Sequence, residues 1–159
     1  STFTVYLNFQ RVSADTIKTQ KNTLDDEILA CLKDKKILLF EDNALNAEIT
    51  TRLLERRGVQ VTVAVNGQIG LELFQKSEQY YFNGIIMDVR MPVMGGLEAT
   101  RALRALNRND AKVIPIIAMT ANAYPDDIAN AHAAGMNDYL TKPVVPGVMF
   151  RTLAMWLKQ

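Results

Sequence analysis

Five polar side chains each follow an apolar run, in a pattern that suits phosphoryl chemistry. They are Glu41, Asp42, Asp88, Thr120 and Lys142. Converging carboxylates repel one another and raise each other's pKa values. A hard divalent cation such as Mg²⁺, which prefers oxygen ligands, relieves that repulsion. A lysine and a hydroxyl beside the cation supply what a phosphoryl group needs during in-line transfer. We therefore interpret Asp88 as a nucleophile presented to a phosphoryl group.

The apolar runs before these residues predict strands of a parallel sheet with helices on both faces. The predicted strands are residues 37–40, 59–65, 84–88, 114–118 and 138–140. Continuous apolar runs suit strands that are buried on both faces. The carboxyl ends of parallel strands meet at one edge, where ligands bind in open α/β sheets. An isolated strand-end aspartate most often caps a turn, but five such groups at four strand ends favour a site.

Helical spacing of apolar residues predicts which helix faces pack on the sheet. The predicted inward residues are Leu45, Ile49, Leu53 and Leu54 in the first helix, Leu71 and Phe74 in the second, Leu97, Thr100 and Leu103 in the third, and Met149, Leu153, Trp156 and Leu157 in the last. Gly70 inside the second helix costs about 1 kcal/mol relative to alanine and indicates close helix–sheet packing. The alternation of valines over residues 59–65 predicts a half-exposed strand at a sheet edge.

Composition excludes several classes of protein. The chain has 159 residues, 48% of them apolar, and a net charge of +1. No basic field therefore favours DNA or an anionic membrane, and no apolar run approaches the roughly 20 residues of a membrane span. The single cysteine, Cys31, fits a reducing compartment, and we expect a cytoplasmic location with no membrane contact by this fragment.

The first 34 residues differ in pattern from the rest. Residues 1–9 alternate as in a strand without a partner, residues 11–20 are a polar linker, and residues 23–33 predict a short helix. Its stripe is Leu24, Ile28, Leu29 and Leu32, which would dock on the next domain or on a partner. We divide the chain into residues 1–10, the end of an upstream domain, residues 11–34, a linker, and residues 35–159, the main domain. The initial serine indicates a fragment or a processed product.

Four segments carry a resemblance to a known family. They are residues 40–43 with Asn46, residues 87–94, residues 116–123 and residues 134–143. With them, residues 35–158 closely resemble the receiver domain of two-component response regulators, most closely those of hybrid sensor histidine kinases. The resemblance implies a flavodoxin-like (βα)5 fold with strand order 2-1-3-4-5. Residues 1–7 also resemble the last strand of a histidine-kinase ATP-binding domain.

The resemblance implies a role for each site residue. Asp88 would accept the phosphoryl group from a phosphohistidine of a histidine kinase or histidine phosphotransfer domain. Asp42, Asp88 and the backbone carbonyl of Arg90 would bind Mg²⁺, and Glu41 would assist through water. Lys142 and Thr120 would contact the phosphoryl oxygens. The domain would thus catalyse its own phosphorylation, within a parent protein-histidine kinase.

A switch is also implied. Tyr139 would turn inward as Thr120 moves toward the phosphoryl group, and this movement would reshape a partner surface on the fourth helix, fifth strand and fifth helix. The Lys142–Pro143 peptide would be cis. Gly95 stands where relatives often carry an aspartate helix cap, and Arg90 occupies a variable site that affects phosphoryl lifetime.

Other functions predict different residues. A degenerate receiver used for docking or inhibition remains the main alternative. An aspartyl phosphohydrolase would want a second acid where Arg90 stands, and a flavin phosphate would be repelled by Glu41 and Asp42. A DNA-binding regulator would carry a helix-turn-helix or a basic stripe, and we find neither pattern in this sequence. His132 is interpreted as a surface residue of the fourth helix.

Overall fold

Five parallel strands form the centre of the molecule. The computed structural model describes residues 26–28 and 30–158. The strands are β1 (Lys36–Phe40), β2 (Gln60–Ala64), β3 (Gly84–Asp88), β4 (Ile116–Thr120) and β5 (Asp138–Thr141), in the order β2-β1-β3-β4-β5. All four strand pairs are parallel. The flavodoxin-like order 2-1-3-4-5 is therefore confirmed.

Six helices connect or follow the strands. They are α1 (Ala44–Glu55), α2 (Gly67–Lys76), α3 (Gly96–Arg104), α4 (Asn109–Val113), α5 (Pro125–Ala134) and α6 (Pro146–Leu157). The sequence pattern does not predict α4, which has only five residues and is too short for a helical period to appear. No helix within residues 26–28 and 30–158 is long and apolar enough to cross a membrane.

The core has two layers, one on each face of the sheet. Successive residues of a strand point to opposite faces, so Leu38 and Phe40 join one layer while Ile37 and Leu39 join the other. All four are fully buried. Coverage of both faces explains why the central strands read as unbroken apolar runs. The inward residues predicted for α2, α3 and α6 are buried or partly buried.

The predicted inward face of α1 is partly wrong. Leu45 and Ile49 are 64% and 50% exposed, whereas the helix turns Ala47, Thr50 and Leu54 toward the core. The spacing of these three residues is as helical as that of the leucines, but a pattern search passes over alanine and threonine. The first two turns of α1 therefore present large apolar side chains to solvent, beside the carboxyl edge of the sheet.

Strand β2 lies at a sheet edge, as its half-exposed pattern predicts. The inward and outward residues do not all follow the predicted alternation, however. Val63 and Val65 are 38% and 52% exposed, while Ala64 is fully buried. Ala64 belongs to the same core layer as Leu38 and Phe40, and Val63 and Val65 stay at the exposed edge.

The chain before β1 packs on the domain. Residues 26–28 and 30–32 are helical, and Leu32 is fully buried. The Cys31 thiol donates a weak hydrogen bond to the Ala154 carbonyl oxygen at 3.7 Å, and Glu27 lies 3.6 Å from the Lys158 ammonium. Ile28 and Leu32 of the predicted apolar stripe thus pack on this domain, while Leu24 and Leu29 lie outside the described residues. The predicted strand at 1–9, the linker at 11–20 and the start of the helix lie outside the described residues.

Candidate functional site

Three carboxylates meet at the carboxyl edge of the sheet. Glu41 and Asp42 follow β1, and Asp88 ends the neighbouring β3, where Phe40 is paired with Met87. One ligand oxygen from each lies within 4.8 Å of the others. Glu41 and Asp88 are 1% and 6% exposed, whereas Asp42 is exposed. The cluster is therefore buried at Glu41 and Asp88 and open to solvent at Asp42.

Lys142 bridges two of these carboxylates. Its Nζ donates to Glu41 Oε2 at 2.8 Å and to Asp88 Oδ2 at 2.5 Å. Burial by itself lowers the pKa of Lys142, but hydrogen bonds and attraction from Asp88 and Glu41 outweigh burial and raise that pKa above its ordinary value. Lys142 is therefore a fixed cation at neutral pH.

Glu41 is held by three groups. Its Oε1 accepts from the Asn43 N–H and from the Asn46 side-chain amide, both at 3.3 Å, while Oε2 accepts from Lys142. Asn43 also begins α1, because its side-chain oxygen accepts from the Asn46 N–H at 3.1 Å. The sequence pattern assigns Asn46 no role. The available signal is an amide residue in the first turn of the helix that follows the acidic pair.

Asp88 is positioned by its own loop. Its Oδ1 accepts from the Arg90 N–H at 3.0 Å, and Gly96 packs so closely that a Cβ there would lie 2.2 Å from the Asp88 carbonyl oxygen. Gly95 caps α3 without a side-chain hydrogen bond, as expected for a position that lacks aspartate. Gly96 thus allows α3 to start directly beside the Asp88 backbone.

In the part of the chain that the structure describes, neither Thr120 nor Tyr139 hydrogen-bonds to Glu41, Asp42 or Asp88. The Thr120 hydroxyl donates to the Asn122 carbonyl oxygen at 2.8 Å, and not to Asp88. Tyr139 is partly buried and lines, with Thr120 and Ile128, a cavity of about 40 Å³ beneath α5. The Lys142–Pro143 peptide is cis, as the resemblance implies. His132 is exposed on α5.

The donor set fits a hard divalent cation. Three carboxylates against one lysine leave a net negative charge at the edge, and all the nearby ligand atoms are oxygens. The exposed Asp42 leaves room for water or a phosphoryl oxygen in the coordination shell. This chemistry favours Mg²⁺ over metals that prefer nitrogen or sulfur ligands.

The family model and the curated relatives that match this chain agree on one family. The model of the response regulator receiver domain matches residues 37–154. Hybrid signal transduction histidine kinase I of Dictyostelium discoideum is 36% identical over 121 residues, covering 75% of this chain and 7% of its own length. The CAI-1 autoinducer sensor kinase/phosphatase of Vibrio cholerae is 35% identical over 124 residues, covering 78% of this chain and 18% of its own length. This chain thus spans only a small part of these curated relatives.

Two solved structures are informative. The receiver domain of a Pseudomonas aeruginosa sensor histidine kinase, with a magnesium ion in its active-site cleft, has a TM-score of 0.72 and 36% identity, covering 79% of this chain and 99% of that chain. The receiver domain of a Saccharomyces cerevisiae response regulator, in complex with a histidine phosphotransfer protein, has a TM-score of 0.69 and 27% identity, covering 78% of this chain and 89% of that chain.

Proposed function

Because this chain belongs to the family of response regulator receiver domains, we propose that it accepts a phosphoryl group from a phosphohistidine onto Asp88. The observation that carries this proposal is the contact of Lys142 with both Asp88 and Glu41 inside a cluster of three carboxylates. A turn-capping aspartate would need neither the lysine nor the second and third acids.

The transfer step is a simple displacement. An oxygen of the Asp88 carboxylate forms a bond to phosphorus, and the bond between phosphorus and the imidazole nitrogen of the donor breaks. The electron pair of that bond returns to the imidazole ring. Lys142 is positioned to stabilise the negative charge on the phosphoryl oxygens, because its ammonium already lies 2.5 Å from Asp88 Oδ2.

We assign the magnesium site to Asp42, Asp88 and the backbone carbonyl of Arg90, with Glu41 acting through water. When bound, Mg²⁺ supplies positive charge that stabilises phosphoryl oxygens. The support from this chain is the cluster of carboxylate oxygens and the position of Arg90, whose N–H donates to Asp88. The related Pseudomonas receiver domain holds magnesium in its own cleft.

Thr120 and Tyr139 transmit the phosphorylation of Asp88 to the surface of the domain. A phosphoryl group on Asp88 offers the Thr120 hydroxyl an anionic acceptor in place of the Asn122 carbonyl. Movement of Thr120 changes the wall of the small cavity that Tyr139 also lines, and Tyr139 turns inward. The surface reshaped by this motion comprises α5, β5 and α6.

The donor docks beside the site, on the exposed apolar residues of α1. Leu45 and Ile49 are at least half exposed, and Val145 at the start of α6 is 57% exposed. A cavity of about 420 Å³ separates α1 from that segment and is lined by Ile49, Glu41 and Lys142. A histidine on a partner helix would reach Asp88 across this cavity. The related yeast receiver domain binds a histidine phosphotransfer protein.

Replacing both Leu45 and Ile49 with serine tests the donor surface. Transfer from a phosphorylated histidine phosphotransfer protein should fall about tenfold or more, because central apolar contacts dominate such interfaces. The rate with acetyl phosphate should stay unchanged, since this donor needs no docking surface. Radiolabel transfer and intact mass measure the two rates.

Val113→Ser is the matched control, because Val113 is 68% exposed at the opposite end of the sheet. It should leave both rates unchanged. Equal loss with both donors in the double variant would contradict the docking surface but leave Asp88 as the acceptor. Failure of wild-type protein to take phosphate from either donor would contradict the proposed function itself.

A further inference from the structure

A second cavity, of about 560 Å³, lies at the end of the sheet opposite the carboxylates. Residues that precede strands line it, including Lys35 before β1, Asn83 before β3 and Asn137 before β5. Its volume is in the range of small-molecule pockets. The phosphoryl site lies at the carboxyl ends of the same strands, so this cavity is separate from the proposed phosphoacceptor function.

Two asparagine amides in this cavity have fixed orientations. Asn83 Oδ1 accepts from the Lys36 N–H at 2.8 Å, and Asn137 Oδ1 accepts from the Ile116 N–H at 2.9 Å. Because a backbone N–H can only donate, the oxygen atoms are assigned without ambiguity. Arg104 also donates to Asn137 Oδ1 at 2.9 Å. The side-chain NH₂ groups must therefore point away from these partners.

Both NH₂ groups are available to a ligand. Neither Nδ2 atom has a hydrogen-bond partner among residues 26–28 and 30–158, and neither is buried from solvent. The two asparagines precede strands that are two positions apart in the sheet, so they are separated by about 10 Å. A single small ligand can span that distance. The cavity thus offers two preorganised donors.

The charge at the cavity is positive. Lys35 and Lys112 line it, and no ion pair involves either lysine within the described part of the chain. Among the described residues, Asp110 is the one carboxylate that lines the cavity; it is 2% exposed and forms an ion pair with Arg108, whose Nη2 lies 2.7 Å from Asp110 Oδ2. Arg108 holds the pKa of Asp110 below its ordinary value through the side-chain hydrogen bond. The asparagine NH₂ groups and the two lysines therefore favour a ligand with an anionic group.

The remaining wall is apolar and contains an aromatic ring. Trp156 and Leu157 from α6 face Val113 and Pro115 across the cavity. The Trp156 Nε1–H donates to Asp138 Oδ2 at 3.0 Å, which holds the indole in place. An indole with its N–H satisfied offers its ring for stacking. The wall suits a flat apolar body attached to an anionic group.

We propose that this cavity, defined by Asn83, Asn137, Lys35, Lys112 and Trp156, is a binding site for a small aromatic carboxylate. The carboxylate accepts a hydrogen bond from the Asn83 NH₂ group and lies near Lys35, and the rest of the ligand extends toward the Asn137 NH₂ group about 10 Å away. The aromatic ring packs against Trp156 and Pro115.

The test uses naphthalene-2-carboxylate as the probe and the full chain, 1–159. Binding is followed by quenching of Trp156, the single tryptophan of the protein, and by shifts of side-chain amide resonances in NMR spectra. Asn83→Asp and Asn137→Asp keep the oxygen that accepts from the backbone N–H, but replace the donor with a negative charge. Asn83→Asp should bind the probe at least about tenfold more weakly, and Asn137→Asp should weaken binding by a smaller factor, because its new charge lies farther from the carboxylate. Lys112→Gln, at an exposed position, should weaken binding without affecting the fold.

Asn66→Asp is the matched control, since it makes the same change at the N-cap of α2, where aspartate is also a good cap. It should leave probe binding unchanged, and the neutral naphthalene-2-carboxamide should bind at least about tenfold more weakly than the carboxylate. Full-strength binding to Asn83→Asp, equal binding of the carboxamide, or resonance shifts confined to other surfaces would overturn the proposal. Binding that appears only after removal of residues 1–25 would also overturn the proposal, because it would show that those residues occupy the cavity in the full chain.

Discussion

Replacing Lys142 with glutamine is expected to slow phosphorylation by acetyl phosphate about 100-fold, the typical effect of removing one transition-state donor. The same substitution should tighten Mg²⁺ binding. The Lys142 ammonium now occupies Asp88 Oδ2 and Glu41 Oε2, so its removal leaves the carboxylates with more unbalanced negative charge. Opposite changes in cation affinity and reaction rate separate this role from a purely structural one.

Intact mass at timed intervals gives the rate, and titration calorimetry gives the Mg²⁺ affinity. Lys112→Gln is the control, because it removes an exposed lysine at the other end of the sheet and should change neither quantity. An unchanged rate in Lys142→Gln would exclude the lysine from phosphoryl stabilisation. A weaker Mg²⁺ affinity would show that the lysine organises the carboxylates instead of competing with the cation.

Gly70→Ala is expected to lower the free energy of unfolding by about 2 kcal/mol. An added Cβ would lie 1.9 Å from Phe40 Cε1, and Phe40 is fully buried beneath α2. Overpacking of this kind costs about 3 kcal/mol, and the better helix propensity of alanine returns about 1 kcal/mol. The melting temperature should fall by roughly 6–10 °C, as measured by circular dichroism.

Gly147→Ala provides the matched control. Gly147 also lies within a helix, but its nearest neighbour to an added Cβ is Arg151 Nη1 at 3.7 Å, so this variant should be as stable as wild type or more so. Adding Phe40→Leu to Gly70→Ala should recover part of the loss, because the ring atoms near Gly70 are removed. Additive losses in the double variant would contradict a clash between these two residues.

Much of the fold is predictable from the sequence because strand and helix patterns agree with each other. The apolar runs before Glu41 and Asp88 are long enough to require coverage on both faces, and the structure places helices on both. Gly70 in a helical pattern points correctly to a close approach, although its neighbour Phe40 is visible only in three dimensions. The strand order came from family resemblance, since periodicity does not determine which strands are neighbours.

Other features depend on contacts that a linear pattern does not contain. Leu45 and Ile49 look like core residues because they are large and apolar, but the rotation of α1 is set by Ala47 and Thr50 against the sheet. The hydrogen bond from Asn46 to Glu41, and the fixed amides of Asn83 and Asn137, require knowledge of which loops meet. Thr120 lies at its predicted strand end, yet its hydroxyl bonds its own loop in this structure.

The most direct test of the phosphoacceptor assignment is the intact mass of the protein after incubation with acetyl phosphate and Mg²⁺. The assignment predicts the gain of one phosphoryl group in wild type, no gain in Asp88→Asn and no gain when Mg²⁺ is chelated. A gain that persists in Asp88→Asn would place the phosphoryl group elsewhere. No gain in folded wild type with Mg²⁺ bound would instead indicate a degenerate receiver that serves as a docking module.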